Sequence, residues 1–336
     1  MPGNSDLHSA NVCLIGNILQ SQLDEPLAIE NMKDEHIGFS YLWSCAMQAH
    51  DMGCRYEKEK EHVLNVPDCW NSVYMKRTDE TAKISRIRWY REHGVTIPYC
   101  VPNARRHRTN GKRCKIPCNL ECERPIRYTN GAVVRHCRYK NVIKDSFFRY
   151  HIERYRSVNH GIVGADLFYS GVVQNYLENY KRAVNREGGS TSFYRFLDEK
   201  GEVFSCERLR ILTHVANCVA VHDMHMTNYN EKEAYVDFGL QELLPERYRK
   251  ISYKKEPLLF ILCVADAIEP SKWFTQIMGR ELLHRMEFIF NSERMQLIVK
   301  IDKLMAESKF GNLYIQNVLR LSEYCEIRTF VQVKTP

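Results

Sequence analysis

Apolar residues recur at helical spacing in several separate parts of the chain. Val12, Ile15 and Leu19 share one face of an N-terminal helix. Residues 37–49 form a second apolar stretch, and residues 257–270 form another that is almost continuously apolar. Helices with such faces must pack on one another to bury them, so we expect a mainly α chain.

Histidine and aspartate residues accompany these apolar stretches. His8 is in phase with the N-terminal apolar face, and the pair His50-Asp51 ends the second stretch. Asp266 lies inside the most apolar stretch. An unpaired carboxylate is costly to bury there, so we expect a counter-charge or a metal ion beside it.

Two further histidines stand at the ends of helical segments. His160 precedes a helical run to Tyr180, and His222 follows the apolar segment 215–221. His214 lies eight residues before His222, which is about 12 Å on a continuous helix, so the two cannot share a metal ion. Because His222 lies where the apolar helix gives way to polar sequence, we favour it as the ligand.

Each of these residues is ordinary by itself. A lone histidine on an apolar face, such as His8, is more often a hydrogen-bonded core residue than a ligand, and His50-Asp51 alone is typical of a polar helix end. His36 is a rival partner for the pair, but on one helix it would lie about 20 Å from His50 along the axis. The ordered set as a whole therefore indicates a metal site.

The C-terminal part has a different pattern. Residues 295–301 and 326–333 alternate as strands do, and residues 313–324 between them form an amphipathic helix. The pattern predicts a small β-α-β appendage that packs against the helical bundle or mediates oligomers.

Composition is consistent with a cytoplasmic location. No run of 18 apolar residues occurs, so no transmembrane helix is expected, and the N-terminus lacks an export signal. Several of the thirteen cysteines lie in apolar helices, Cys45, Cys218 and Cys263 among them. We interpret them as reduced thiols rather than as a disulfide framework.

The net charge of +7 is concentrated in one segment. Twelve basic residues and only two acidic ones lie between Ala104 and Lys144, so this segment carries +10 and the remainder carries −3. Prolines and the turn pairs Asn110-Gly111 and Asn130-Gly131 predict hairpins or irregular structure in it.

The same segment contains closely spaced cysteines. A structural zinc ion at Cys114, Cys118 and Cys122 is one hypothesis, because small irregular segments need an internal link. Unliganded thiols are the default interpretation, because the three-residue spacing differs from that of paired CxxC motifs.

Residues 49–53 (AHDMG), 159–164 (NHGIVG) and 265–270 (ADAIEP) resemble the HD-domain superfamily of metal-dependent phosphohydrolases. The likeness covers about 5–65 and 150–275. The superfamily is an all-α bundle with a His … His-Asp … Asp ligand set, and many members add two histidines before the last aspartate. Cys54 stands where the cyclic-dinucleotide branch has a lysine, which argues against that substrate.

The resemblance implies two divalent transition-metal ions, which for imidazole and carboxylate ligands are Fe, Mn, Ni, Co or Zn. Asp51 would bridge the ions, and Asp51, His160 and His222 are the expected catalytic residues. The ligands of the first ion would be His8, His50, Asp51 and Asp266. The second ion would be bound by His160 and His222, together with the bridging Asp51.

The implied fold is an HD-domain helical bundle with a basic Cys-rich insertion and the C-terminal appendage. The expected boundaries are 1–65 and 146–278 for the two halves of the HD domain, 66–145 for the insertion and 279–336 for the appendage.

The implied activity is hydrolysis of a phosphomonoester or phosphodiester, in a nucleotide or another phosphate ester, by metal-activated water. The basic insertion is a candidate site for nucleic acid as well. Basic side chains suited to substrate phosphate are Arg105, Arg106, Arg108, Lys254 and Lys255. Two rivals remain: a di-iron oxygenase of the same fold, and a non-enzymatic nucleotide or nucleic-acid binder.

Overall fold

The structure is a computed structural model. It describes residues 4–30, 36–54, 108–109, 112–113, 126–134, 206–223, 250–274, 281 and 283–334, together with scattered positions between 160 and 182. The described part is mostly helical and has small sheets, as the apolar pattern predicts.

In the described part of the chain, four helices bury their apolar faces in the main core. They are α1 (Asn4–Ser21), α2 (Phe39–His50), α3 (Cys206–Val221) and α4 (Pro257–Ile268). The described positions between 160 and 182 are also helical. All twelve residues of α4 are buried, and α1, α2 and α3 each contact it. The nearly continuous apolar sequence of α4 thus makes it the central helix.

Helix α1 packs closely on α2 through a glycine. Val12, Ile15 and Leu19 are buried on the predicted face. Trp43 of α2 is also buried, and its indole Nε1 donates a hydrogen bond to the Cys13 carbonyl at 3.3 Å. A Cβ atom on Gly16 would overlap the Trp43 ring, so only glycine allows this approach.

Part of the predicted insertion belongs to the core. Strands β1 (Ala28–Glu30) and β2 (His36–Gly38) pair antiparallel, and the hairpin β5 (Ile126–Arg127) and β6 (Val133–Val134) joins them through a bridge between Ile29 and Tyr128.

The turn of that hairpin contains Gly131 at φ 83°, as the Asn-Gly pair predicts. A second predicted hairpin is present as β3 (Arg108–Thr109) and β4 (Lys112–Arg113). Tyr128 lies within the predicted insertion but is only 1% exposed, which the basic composition of that segment does not indicate.

The C-terminal region is a three-stranded sheet covered by helices. Its elements are β7 (Glu287–Asn291), β8 (Gln296–Ile301), α5 (Lys303–Glu307), α6 (Gly311–Tyr324) and β9 (Arg328–Val333). β7 pairs antiparallel with β8, and β8 pairs parallel with β9. The predicted β-α-β unit is confirmed, while β7 and α5 were not predicted.

This C-terminal region packs on the end of α4. The Tyr314 hydroxyl donates to the Ile268 carbonyl at 2.6 Å, and the Asn317 amide donates to the Ala267 carbonyl at 2.7 Å. These carbonyls lie in the last helical turn and have no partner within the helix. The region therefore stabilises the helix end that carries Asp266. Within the described part of the chain, no helix combines the length and apolar character needed to cross a bilayer.

Two glycine-to-alanine substitutions should shift stability in opposite directions. Gly16→Ala must displace the buried Trp43 ring, and overpacking of this kind costs about 1–3 kcal/mol. Gly171 is helical, and a Cβ atom added to it would meet nothing within 4 Å, so Gly171→Ala should stabilise by about 0.5–1 kcal/mol. Thermal melts of both variants measure this. An unchanged melting temperature for Gly16→Ala would contradict the close helix contact.

Candidate metal centre

The structure brings the six predicted ligands together from separate elements. His8 lies in the second turn of α1, and His50 ends α2 with Asp51 as its C-cap. His160 is the first described residue of the 160–182 helical segment. The other two are His222, directly after α3, and Asp266, in the last turn of α4.

Four imidazoles form a continuous row through this site. The ring centroids of His8 and His50 are 5.6 Å apart, those of His50 and His222 are 5.7 Å apart, and those of His222 and His160 are 5.2 Å apart. Asp51 belongs to two metal-capable groups, one with His8 and His50 and the other with His160 and Cys54. Asp51 therefore lies where the two halves of the site meet.

Glycines allow the segment that carries His160 to approach the end of α2. A Cβ atom on Gly53 would overlap the His160 carbonyl oxygen, and one on Gly164 would overlap the Ala49 carbonyl oxygen. A Cβ atom on Gly161 would lie 2.8 Å from the Val219 carbonyl oxygen. Backbone contacts this close require glycine, which explains why glycines flank the site histidines.

Two of the imidazoles are oriented as ligands. His50 Nδ1 donates to the Met47 carbonyl at 2.9 Å, and His222 Nδ1 donates to the Val219 carbonyl at 2.7 Å. The Nε2 atom of each ring is therefore the unprotonated one. Both Nε2 atoms are buried and have no hydrogen-bond partner. A buried basic nitrogen without a donor is costly unless a cation occupies the space it faces.

Burial keeps these two rings neutral. It lowers the pKa of His50 to about 4, against the opposing charge of Asp51. It also lowers the pKa of His222. Neutral imidazole is the form that binds metal ions, so both rings are ready to bind at neutral pH.

His8 is held by carboxylates at both ring nitrogens. Its Nδ1 lies 2.7 Å from Glu269 Oε2, and its Nε2 lies 2.9 Å from Asp266 Oδ1 and 3.7 Å from Asp51 Oδ2. Burial alone would lower the pKa of His8, but the hydrogen bonds to Asp266 and Glu269 raise it to about 9. Without a metal ion, His8 is therefore a cation at neutral pH. A metal ion at Nε2 would replace the proton there.

Glu269 is fixed in turn by its own partners. Asn11 donates to Oε1 at 2.7 Å, the Ser271 backbone N–H donates to Oε1 at 2.9 Å, and the Ser271 hydroxyl donates to Oε2 at 2.6 Å. A carboxylate that orients a ligand histidine through Nδ1–H is a common feature of metal sites. Glu269 is thus a positioning residue for His8.

Lys272 supplies the counter-charge expected beside Asp266. Its ammonium group donates to both Asp266 carboxylate oxygens at 2.8 Å. Burial would raise the pKa of Asp266, but Lys272 and His8 hold it well below its usual value. Lys272 is the last residue of the short 3-10 turn Pro270–Lys272, which follows α4.

The half of the site around His160 has a second carboxylate. His160 Nδ1 lies 3.8 Å from Asp223 Oδ2, and the side chains of these residues are 11% and 17% exposed. Burial would raise the pKa of Asp223, but the neighbouring His160 and Lys272 lower it below its usual value. The side chains of His160 and Asp223 are therefore more exposed than the side chain of His50, which is fully buried.

The other candidate side chains either lie away from the centre or are not described by the structure. Lys254 and Lys255 precede the start of α4, and Asp266 is near its end, about 15 Å away along the helix. Arg108 lies in β3, where its side chain is not described, and Arg105 and Arg106 lie outside the described residues. The cysteines of the zinc hypothesis also lie outside them: Cys114, Cys118 and Cys122.

His214 belongs to a different buried group. Its Nε2 lies 2.6 Å from the Tyr128 hydroxyl, and its ring is next to Cys218 and Glu256. The sequence preference for His222 over His214 agrees with this placement, since only His222 adjoins His50 and His160.

Glu269, Lys272 and Asp223 were not among the predicted site residues. A signal was present for Asp223, because His222-Asp223 repeats the His-Asp dipeptide of residues 50–51. Glu269 lies within the ADAIEP motif of residues 265–270, and Lys272 comes two residues after the end of that motif. The turn that returns Lys272 to Asp266 could not be inferred from helical spacing.

Comparisons with protein-family models, with curated proteins and with solved structures returned no match for this chain.

His222→Ala and His214→Ala should separate metal binding from folding. Loss of the His222 ring removes a ligand-type nitrogen, so His222→Ala should reduce bound metal by about one ion per chain. His214→Ala should retain the metal but lower stability by about 2–4 kcal/mol, because it leaves a cavity and an unpaired Tyr128 hydroxyl. Elemental analysis and thermal melts measure both effects. Metal loss confined to His214→Ala would reverse the assignment.

The metal-free protein should lose stability as the pH rises through 9. The pKa of His8 is about 9 in the folded chain and 6.5 for an ordinary histidine. The stabilisation of the folded state by protonated His8 is therefore fully present below pH 6.5 and is lost as the pH rises through 9. Melting temperatures across this range should fall more for the wild type than for His8→Gln. The exposed His284→Gln variant is the control and should follow the wild type. Parallel curves for wild type and His8→Gln would contradict the protonated network.

Proposed function

We propose that this chain is an HD-type metal-dependent phosphohydrolase that holds two divalent transition-metal ions. The observation that carries the proposal is the pair of buried His50 and His222 Nε2 atoms, which lack hydrogen-bond partners. They share one site with Asp51, which belongs to both metal-capable groups.

The donors divide into two sets around Asp51. His8, His50 and Asp266 lie on the side of α1 and α4, and His160 and His222 lie on the other side. Neutral imidazole and carboxylate are suited to Fe, Mn, Ni, Co or Zn. The donor types and their burial fit a two-ion centre, with Asp51 as the bridge. When bound, such ions activate a water molecule and stabilise negative charge on phosphoryl oxygens.

The chain's own residues prepare this centre. Glu269 holds the His8 ring so that Nε2 faces Asp266 and Asp51. Lys272 holds the Asp266 carboxylate and keeps a positive charge at the edge of the site, since its side chain is 35% exposed. The side chains of His160 and Asp223 are more exposed than those of His50 and Asp266, and we expect a substrate to approach from this side.

The charge distribution favours phosphate esters as substrates. The segment 104–144 carries +10, and a positive field of this kind concentrates anionic ligands. A di-iron oxygenase that acts on a neutral sugar has no need of this charge. Release of phosphate or of a nucleoside supports hydrolysis, whereas oxygen consumption by the iron-loaded protein supports the oxygenase.

Asp51→Ala should remove most of the bound metal and all hydrolysis. The wild type is expected to carry close to two transition-metal ions per chain and to hydrolyse at least one phosphomonoester or phosphodiester in a broad panel. Asp24→Ala is the matched control, because Asp24 only accepts a surface hydrogen bond from Ser292. Elemental analysis and phosphate release measure the two effects. A wild-type protein that binds neither Mn, Fe, Co nor Zn would overturn the proposal.

A further inference from the structure

Cys54 lies beside the bridging carboxylate of the metal centre. Its backbone N–H donates to the Asp51 carbonyl at 3.0 Å, and its thiol donates to Asp51 Oδ1 at 3.2 Å. The turn after α2 therefore fixes both the backbone and the side chain of Cys54 against Asp51. Gly53, in the same turn, allows the His160 backbone to approach.

Three different donor atoms meet at this point. The carboxylate of Asp51, the thiol of Cys54 and a ring nitrogen of His160 lie within 4.8 Å of one another. Oxygen and sulfur ligands of one tetrahedral zinc ion are about 3.5 Å apart, for bonds of about 2.0 Å and 2.3 Å. The Sγ–Oδ1 distance of 3.2 Å is close to that separation.

A fourth donor comes from the neighbouring histidine. The rings of His222 and His160 are 5.2 Å apart, and the buried His222 Nε2 has no hydrogen-bond partner. Asp51, Cys54, His160 and His222 together supply one oxygen, one sulfur and two nitrogen donors. Zinc and Co²⁺ are bound tetrahedrally by sets of this kind.

We propose that Cys54 is a thiolate ligand of the ion held by Asp51, His160 and His222. This inference rests on the two-ion centre proposed above and assigns a further ligand to one half of it. On binding, the thiol releases its proton to solvent as the sulfur–metal bond forms, with no change in oxidation state. The hydrogen bond to Asp51 is then replaced by a shared metal ion.

The two halves of the centre would differ in metal preference. The half with His8, His50 and Asp266 offers only nitrogen and oxygen, whereas the half with Cys54 adds a soft sulfur donor. Thiolate ligands favour zinc and Co²⁺ over manganese. The Cys54 half should therefore keep zinc in competition with excess Mn²⁺.

The other cysteines near the site differ in their contacts. The Cys263 thiol donates to the His222 backbone carbonyl at 3.2 Å, and Cys263 belongs to none of the metal-capable groups among the described residues. Cys13 is half-buried like Cys54, but it lies on α1, next to Asn17. Cys13→Ser is therefore a matched control for Cys54→Ser.

Co²⁺ binding to the metal-stripped full chain tests this assignment. A cobalt–thiolate bond gives a sulfur-to-cobalt charge-transfer band in the near ultraviolet, separate from the visible d–d bands. The wild type and Cys13→Ser should develop this band as Co²⁺ is added. Cys54→Ser and Asp51→Ala should both lose it, and circular dichroism melts establish that the variants fold.

Cys54→Asp separates the ligand role from packing. A carboxylate at this position keeps an anionic donor, so this variant should bind as much Co²⁺ as the wild type but without the charge-transfer band. The assignment of Cys54 would be overturned by a charge-transfer band that is unchanged in Cys54→Ser, or by its absence from a wild type that binds two Co²⁺ ions. Neither result would contradict the two-ion centre itself. Absence of any Co²⁺ binding or d–d absorption would overturn both.

Discussion

The buried charge of Asp266 constrains the rest of the structure. Its carboxylate is 1% exposed at the end of a wholly buried apolar helix, where an unpaired charge would be prohibitively costly. Lys272 and His8 neutralise it through hydrogen bonds of 2.8–2.9 Å. Because the His8 ring is itself buried, its other nitrogen, Nδ1, also needs a hydrogen-bond partner, and the carboxylate of Glu269 is that partner. One carboxylate in the central helix thus fixes the N-terminal helix and the turn after α4.

The other end of the site depends on close backbone packing. Gly53, Gly161 and Gly164 bring the His160 segment against the ends of α2 and α3, at distances that no Cβ atom allows. Buried ion pairs position His8 and Asp266, whereas His160 is positioned by backbone contact. Substitutions should therefore act differently in the two halves: a lost charge partner leaves another charge buried, while an added side chain separates two elements.

The sequence predicted which histidines and aspartates lie together better than it predicted the residues that hold them in place. The helical phase of His8 with Val12, Ile15 and Leu19 is a local property, so it could be read directly, and these three apolar residues are buried as expected. Lys272 comes after a proline that ends the helix, so its return to Asp266 depends on a tertiary turn with no periodic signature. Tyr128 illustrates the same limit: composition placed it in a basic insertion, but a bridge to Ile29 brings it into the core. The local sequence pattern indicates which face of a helix is buried, whereas long-range contacts determine which residues pack against that face.

The side chains around the candidate metal centre differ in their exposure to solvent. His50 and Asp266 are almost completely buried, at 0% and 1% exposure, whereas the side chains of His160, Asp223 and Lys272 are 11%, 17% and 35% exposed. The accessible edge therefore combines an imidazole, a carboxylate and an ammonium group. In the proposed phosphohydrolase, an anionic phosphate would contact Lys272 without displacing it from Asp266, since an ammonium group has three donors. Under the proposed function, the lysine that compensates the buried carboxylate would also supply a cation to the phosphoryl group, so that one charge would serve both stability and recognition.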